Sequence, residues 1–445
     1  MRSVSDHLTA VLAAARPVAP LDVVLADSAG CILAEDVTAP FDVPSWTVAG
    51  CDGYAVLAAD VGLPGPGRAP DVRLPVVHDA PVTSVGPLRL VPGTAILVAA
   101  GAPLPHGADA VVPMERTDRG RAWVLLHGGA EPGEHVRPVA QDATAGSVVL
   151  RSGIRLGARH LALAAAIGRG RLRVHPAPRV VVVSIGDELV EPGRRRSDGR
   201  VFDADGHALA AAVKDTGAAA VRVGPVGDDR AVLREILADQ LVRADLLVLT
   251  GGLSGGPWDT VTDVLAPLGS VRFDQIAMTP GRRQGFGTVR PDDDATDRGG
   301  LHGQGSAHAT GLGSEPGSSS GGSAADRPGG IPVFALPGHP VAAIVSFEVF
   351  VRPALRAMAG HTDLFRPSVR AAVTAPWASP AGRRQFVPAM VSGSPTDGYV
   401  VTPVGDPSTV SLSALAGANA LAVVGEDTTL VRVGDPLVCL VLEVV

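Results

Sequence analysis

The clearest indication of the fold is the stretch Arg179-Val180-Val181-Val182-Val183. A continuous run of β-branched residues is typical of a strand that is buried on both faces of a parallel sheet. Helical and strand-like patterns then alternate, with helices at 206–214, 229–241 and 259–268 and strands at 220–223 and 246–250. This alternation predicts a βαβ sheet.

A Gly/Ser/Asp-rich segment, residues 291–330, interrupts this pattern. It has almost no large apolar residues to offset the entropy cost of ordering, so it is predicted to be a disordered insertion. A strand at 331–336 and a helix from Val341 to about Ala359 follow it. The α/β domain is therefore predicted to span residues 178–360.

Three further regions flank this domain. Residues 1–40 and 143–177 form a linker region with a helix at 5–15, for which Ser5 is the candidate N-cap. Residues 41–142 and 361–445 contain short apolar runs broken by Pro and Gly, which predict a small β-rich domain and a C-terminal β-barrel. The predicted fold is multidomain α/β, with a central parallel-sheet domain and flanking β-rich domains.

The bulk composition narrows the class of protein. At 445 residues the chain exceeds the roughly 250 to 300 residues that one hydrophobic core accommodates. A formal charge of -7 removes the usual electrostatic reason for binding nucleic acid. The 3 cysteines are far apart, and no apolar run is long enough to span a membrane. We expect a soluble cytoplasmic protein with no disulfide framework.

Unusual loops follow the strands of the predicted sheet, where open α/β sheets bind their ligands. Their candidate ligand-binding residues are Ser184, Gly186, Asp187 and, in the next connection, Asp205; Thr250, Gly251, Gly252 and Ser254; Pro280, Gly281 and Arg282; and Pro337, Gly338 and His339. Glycines let the backbone approach an anion closely, and hydroxyls donate to phosphate oxygens. These loops predict a site for a phosphate-bearing ligand. The structural alternative is that Gly251-Gly252 only makes a tight turn.

Several carboxylates accompany these loops and indicate a bridging Mg²⁺. They are Asp187, Glu188, Asp203, Asp205, Asp228, Asp229 and Asp259. Helix capping is the alternative role for Asp259 and the favoured one for Asp229.

For the basic residues of the loops, a ligand-binding role is weighed against a structural one. Arg282 and Arg283 are suited to clamp an anion, or else face solvent. His339 either contacts a ligand or hydrogen-bonds its turn. Arg194-Arg195-Arg196 is interpreted as a solvated turn.

As a set, these loops resemble those of the molybdopterin molybdenumtransferases, the family of bacterial MoeA and the gephyrin E domain. The segments that carry the resemblance are Ser184-Ile185-Gly186-Asp187-Glu188-Leu189, Thr250-Gly251-Gly252-Leu253-Ser254, Pro280-Gly281-Arg282 and Leu336-Pro337-Gly338-His339-Pro340. The likeness extends to Asp52-Gly53-Tyr54-Ala55, Gly107-Ala108-Asp109-Ala110-Val111-Val112 and Ser411-Leu412-Ser413-Ala414-Leu415.

The resemblance implies a molybdopterin-binding central domain and a homodimer formed through the linker region. It implies a reaction in which adenylylated molybdopterin and molybdate are the substrates, Mg²⁺ is required and AMP is released. Glu188, Asp228 and Asp259 would be the catalytic and metal-binding acids, and Asp52 and Asp142 would bind substrate from the β-rich domain. Molybdopterin adenylyltransferase and apo-molybdoenzymes are the implied protein partners.

The sequence departs from the family pattern at several positions. Thr279-Pro280-Gly281-Arg282-Arg283 stands where the family usually has Lys-Pro-Gly-Lys-Pro, so the positive charge at position 279 is lost and the one at position 282 becomes a guanidinium. Other departures are Ile185 and Ala100 for threonines, Gln141 for a glutamate and His339 for an asparagine. They define the alternative of a diverged paralogue.

Two functional hypotheses follow. The first is an active molybdenumtransferase, because the acids at 188, 228 and 259 persist. The second is a carrier or scaffold that binds molybdopterin or the finished cofactor without inserting metal, which the Thr at 279 motivates. The related adenylyltransferase activity belongs to a shorter single-domain protein, and the additional domains argue against it.

Overall fold

The computed structural model describes residues 1–62, 71–83, 88–256, 259–268, 270–290 and 330–443. Two compact units are present: residues 1–21, 30–34 and 173–445 form the first, and residues 22–29 and 35–172 form the second. The predicted insertion at 291–330 lies outside the described residues, except for Gly330.

A six-stranded sheet organises the first unit. Its strands are β1 (Arg179–Ile185), β2 (Ala219–Val226), β3 (Leu246–Gly251), β4 (Arg272–Gln275), β5 (Arg283–Val289) and β6 (Ile331–Leu336). Their order is β2-β1-β3-β6-β5-β4. The first four in this order are parallel, as predicted, whereas β5 and β4 are antiparallel to their neighbours. Only residues 276–282 separate β4 from β5, and so short a connection cannot make the crossover that parallel strands need.

Helices cover both faces of this sheet. They are α1 (Asp205–Asp215), α2 (Arg230–Leu241), α3 (Thr260–Leu265) and α4 (Pro340–Ser346). Val180 and Val182 share one core with α1 and α4, whereas Val181 and Val183 share a second core with α2 and α3. The β-branched run is therefore buried on both faces. The predicted helix at 341–359 continues from α4 through a π-helical turn, Phe347–Val351, into the helix Arg352–Met358.

The N-terminal helix Val4–Ala14 packs into the core on the α1 and α4 face. The expected Ser5 cap is wrong, because the Ser3 side chain accepts from the Asp6 amide at 2.9 Å. Starting the helix at Val4 places Val4, His7 and Val11 on its buried face. Elsewhere in this unit, Ile32–Leu33 pairs with residues 174–175, and Leu189–Val190 pairs with Val201–Phe202.

The C-terminal region is a closed five-stranded barrel, as predicted. Its strands are Ser368–Val373, Arg384–Ser394, Gly398–Pro403, Ala420–Val424 and Pro436–Val441. Closure comes from pairing of Arg384–Ser394 with both Gly398–Pro403 and Ala420–Val424. Met278–Thr279, next to the Pro280 loop, adds a short parallel strand to the barrel. The helix Leu412–Ala416 and the paired strands Trp377–Ala378 and Leu430–Val431 complete the region.

The second unit is rich in β-structure, which confirms the predicted character of this region. Its five-stranded sheet runs in the order Ala110–Pro113, Gly53–Val56, Ala95–Val98, Val72–Ala80 and Trp123–Leu126. Smaller pairs join Val48–Ala49 to Val136–Arg137 and Val37–Thr38 to Val148–Leu150, and the helices are Ala58–Val61 and Ala158–Ala166. In the described parts of both units, no helix has the length and apolarity to cross a membrane.

Candidate functional site

Glycines bring three loops into close contact at the carboxyl ends of β1, β3 and β6. A Cβ atom on Gly338 would lie 3.0 Å from the Gly251 Cα atom, and one on Gly251 would lie 2.1 Å from the Ile185 carbonyl oxygen. Gly251 and Gly252 have φ values of 85° and 63°, which side chains rarely adopt. The glycines at these positions therefore do more than make a turn, because they let three backbones converge.

The loops after β1 and β2 are tied together by a pair of acids. The Asp187 amide donates to Asp228 Oδ2 and the Asp228 amide donates to Asp187 Oδ1, both at 3.1 Å. Thr260, in the first turn of α3, donates to Asp228 Oδ1 at 3.1 Å. The Gly186 amide donates to the Val226 carbonyl. Glu188 is exposed beside this pair.

Asp259 is buried and already has several partners. It caps α3 by accepting from the Thr262 amide at 3.2 Å, and its Oδ2 atom accepts from the Gly255 amide at 3.0 Å. Arg283 Nη2 donates to the same oxygen at 2.6 Å. The capping role is thus real, and the carboxylate also joins the Thr250 loop to β5.

The side chains of Asp229 and Ser254 accept hydrogen bonds from backbone amides of their own segments. Asp229 accepts from two amides in the first turn of α2, and these hydrogen bonds hold the pKa of Asp229 below its usual value. Its favoured reading as a helix cap is confirmed. Ser254 Oγ accepts from the Gly256 amide at 3.1 Å and is exposed.

The guanidinium that reaches the acids is that of Arg283, although Arg282 was the arginine assigned to the site. Arg282 donates to the Gln275 side chain at 2.5 Å. Arg283 is the first residue of β5, whereas Arg282 lies in the connection before it and pairs with Gln275 at the end of β4. The sequence alone does not distinguish the two arginines, because their tertiary partners decide which one reaches Asp259.

A buried polar network lies beneath the loops. Thr250 Oγ1 is 2.6 Å from Asp205 Oδ2 and 3.1 Å from the Pro337 carbonyl oxygen. Ser184 donates to Asp203 at 2.5 Å, and Arg222 donates to the same carboxylate at 3.0 Å. Burial raises the pKa of Asp205 to about 6, and the nearby charge of Asp203 also raises it. The hydrogen bond with Thr250 acts in the opposite direction.

The Pro280 loop is supported by Gln284, a residue that sequence analysis did not select. Gln284 is 1% exposed, and its amide group donates to the Gly281 carbonyl at 2.7 Å and to Ser346 Oγ at 2.9 Å. Ser346 lies on α4, so this contact depends on tertiary packing. Gly281 has a φ of 98° and no room for a side chain against Ser346.

A cavity of about 300 Å³ is lined by the Pro280 loop and by residues of the barrel. Thr279 and Pro280 line one side, and Arg383, Ser408 and Ser411 belong to the barrel side. One guanidinium and several hydroxyls therefore face a single space. Guanidinium and hydroxyl groups are suited to binding an oxyanion.

His339 precedes α4 as its N-cap residue but makes no side-chain capping bond. Its ring is exposed and has no hydrogen-bond partner in the described part of the chain. The alternative in which it hydrogen-bonds its own turn therefore finds no support.

Across the described ranges, no group of three or more His, Cys, Asp and Glu residues is placed to hold a metal ion. Glu188, Asp228 and Asp259 therefore do not form a metal site made of protein alone. Mg²⁺ commonly takes one or two carboxylates and completes its shell with water and substrate phosphates. The exposed Glu188 and the half-buried Asp228 fit that arrangement, whereas Asp259 is committed to Arg283 and to two amides.

Asp52 and Asp142 belong to the second unit. Asp52 Oδ1 accepts from the Ala100 amide at 2.7 Å. Asp142 forms an ion pair with Arg137 at 2.5 Å, and both side chains are about half exposed. Their assignment to substrate stays a prediction.

Three family profiles match the chain in succession. They are described as the MoeA N-terminal region (domain I and II) at residues 2–168, a probable molybdopterin binding domain at 181–357, and the MoeA C-terminal region (domain IV) at 370–442.

Full-length relatives agree with these matches. Molybdopterin molybdenumtransferase 2 of Mycobacterium tuberculosis is 38% identical, with 98% of each chain covered, and molybdopterin molybdenumtransferase 1 is 34% identical, with 98% of this chain and 97% of the relative covered. A crystal structure of a molybdopterin biosynthesis MoeA protein from Pyrococcus horikoshii has a TM-score of 0.74 at 26% identity and covers 99% of both chains. The chain belongs to the MoeA family of molybdopterin molybdenumtransferases.

Proposed function

We propose that this protein is a transferase of molybdenum cofactor biosynthesis that inserts molybdenum into molybdopterin. The observation that carries the proposal is the convergence of the β1, β3 and β6 loops, with acids and Arg283 at the same edge of the sheet. The curated relatives that cover nearly the whole chain are named for this activity.

The substrate proposed here is adenylylated molybdopterin, which is hydrolysed at its phosphoanhydride with release of AMP. Gly251 and Gly252 have no side chains to keep phosphate groups away from the backbone amides of their loop. Arg283 neutralises the buried Asp259, so this carboxylate does not repel the phosphates. Glu188 and Asp228 would hold Mg²⁺ together with the phosphates, and the ion would neutralise charge on the phosphate oxygens.

Molybdate is proposed to bind in the cavity beside the Pro280 loop. Arg383 supplies a positive charge on the barrel side, and Ser411 supplies a hydroxyl that can donate a hydrogen bond. The lysine that the family usually has at position 279 is absent, so Arg383 would supply the positive charge in its place. Arg383→Ala should raise the molybdate concentration needed for half-maximal turnover, while Arg432→Ala, in the barrel but outside the cavity lining, should not.

The quaternary and cellular proposals follow from family membership. We infer a homodimer in the cytoplasm that receives substrate from molybdopterin adenylyltransferase and delivers cofactor to apo-molybdoenzymes. The four-part division at residues 41, 143, 178 and 361 belongs to the same inference. Light scattering of the purified protein measures the dimer, and a monomeric mass would contradict it.

An AMP-release assay distinguishes the transferase from the carrier. Purified protein is supplied with adenylylated molybdopterin, molybdate and Mg²⁺, and AMP is measured by chromatography. The transferase hypothesis predicts that AMP release is abolished in Glu188→Ala. Release should be kept in the control variant Glu235→Ala, which changes an exposed glutamate on α2. Tight binding without AMP, unaffected by Glu188→Ala, would establish the carrier instead.

A further inference from the structure

Asp205 is a buried acid at the start of α1, directly under the Thr250 loop. Its residue is 7% exposed. Oδ2 lies 2.6 Å from Thr250 Oγ1, whereas Oδ1 is buried with no hydrogen-bond partner in the described structure. An ionised carboxylate in this position would leave one charged oxygen unsatisfied, which is costly in an apolar environment.

The number of available protons limits how these groups can bond. The Thr250 hydroxyl has a single proton, and it faces two acceptors, Asp205 Oδ2 and the Pro337 carbonyl oxygen at 3.1 Å. The Pro337 carbonyl can only accept. If Asp205 is ionised, Thr250 can satisfy only one of them. If Asp205 carries a proton, it donates to Thr250, and Thr250 donates to Pro337.

The charges around Asp205 also favour the protonated form. Asp203 is fully buried nearby, and Arg222 is already paired with Asp203 and Glu191. His207, on α1, is exposed and pairs with Glu191. Burial, followed by the charge of Asp203, raises the pKa of Asp205 to about 6, although the Thr250 hydrogen bond opposes this.

An anionic substrate at the edge of the sheet would shift this balance further. Before Mg²⁺ binds, its phosphates bring negative charge close to the Thr250 loop, and a like charge disfavours ionisation of a carboxylate. Protonation of Asp205 then lets Thr250 hold the Pro337 loop, whose Gly338 packs against Gly251. Substrate binding and proton binding therefore favour each other.

We propose that Asp205 acts as a proton-linked latch. It takes up one proton as the phosphate-bearing substrate binds, and the Thr250 hydroxyl then donates to the Pro337 carbonyl, which stabilises the contact between the Pro337 loop and the Thr250 loop. Asp205 is a positioning residue here, since it acts through Thr250. The inference rests on the proposed function, because the substrate is the anion that the site is proposed to bind.

Titration of adenylylated molybdopterin into the full-length protein between pH 6 and pH 8 tests the latch. The wild type should bind about tenfold more tightly at pH 6 than at pH 8, as expected for one linked proton. Asp205→Asn should bind with little dependence on pH, because its amide donates to Thr250 without titrating. Thr250→Val, which removes the relay, should also lose the pH dependence and bind weakly throughout.

The outcomes separate the two proposals. Equal pH dependence in the wild type and in Asp205→Asn would overturn the latch and leave the proposed function intact. Absence of binding by all three proteins at every pH would overturn the proposed function itself, and the latch with it. Calorimetry in buffers of different ionisation enthalpy counts the proton directly, and zero uptake by the wild type would also refute the latch.

Discussion

We expect low pH to weaken the docking of the N-terminal helix, because His7 then becomes protonated. This residue is 1% exposed, and its ring packs edge-on against Phe350 and Phe286 at centroid distances of 4.7 and 6.0 Å. Neither ring nitrogen has a hydrogen-bond partner in the described structure. Burial, with a smaller contribution from Arg2, lowers the pKa of His7 from 6.5 to about 4, although Asp274 opposes the shift.

The sign and size of the effect follow from proton linkage. When the helix undocks, His7 regains its ordinary pKa and binds a proton more readily than in the folded state. Stability is therefore complete above pH 6.5 and falls as the pH is lowered toward 4. Between pH 7 and pH 5 the docked helix should lose about 1.8 kcal/mol, which is about a 20-fold change in the docking equilibrium.

Hydrogen exchange measures this directly. The protection of the Val4–Ala14 amides should fall about 20-fold between pH 7 and pH 5, after correction for intrinsic exchange rates. His7→Leu fills the same apolar site without titrating and should remove the pH dependence. If the helix of the wild type is equally protected at both pH values, or if His7→Leu loses as much protection, the assignment to His7 is wrong.

Three further predictions concern the site. Arg283→Met leaves the buried Asp259 without its cation and should destabilise the fold by about 3 kcal/mol, measured by urea unfolding, whereas Arg282→Met should have little effect. Gln284→Met removes the two hydrogen bonds that hold the Pro280 loop and should raise the KM for molybdate more than it lowers kcat; an unchanged KM would contradict this. Gly338→Ala places a Cβ atom 3.0 Å from the Gly251 Cα atom and should weaken substrate binding at least tenfold in a direct titration; wild-type affinity would show that the loops separate without cost.

Sequence patterns predicted the elements whose surroundings are uniform along their length. The run from Val180 to Val183 is buried on both faces, so its pattern alone identifies a parallel strand. Glycines at strand ends identified loops that approach one another. The capping role of Asp229 was also readable, because a cap depends on its own helix.

The features that sequence analysis missed depend on contacts between distant segments. Arg283 and Arg282 are indistinguishable until their tertiary partners, Asp259 and Gln275, are known. Gln284 supports its loop through Ser346, which is 62 positions away. The Ser3 cap was missed because the burial of Val4 is set by packing against the central domain.

Molybdenum incorporation in a single turnover shows whether this protein inserts the metal into molybdopterin. Protein in excess over adenylylated molybdopterin is mixed with molybdate and Mg²⁺, and pterin-bound molybdenum is quantified by elemental analysis. A Thr279→Lys variant, which restores the charge that the family usually carries there, is measured in parallel. We expect about one molybdenum per pterin in the wild type. Pterin that is bound by both proteins but metallated only by Thr279→Lys would contradict it and identify the natural chain as a carrier.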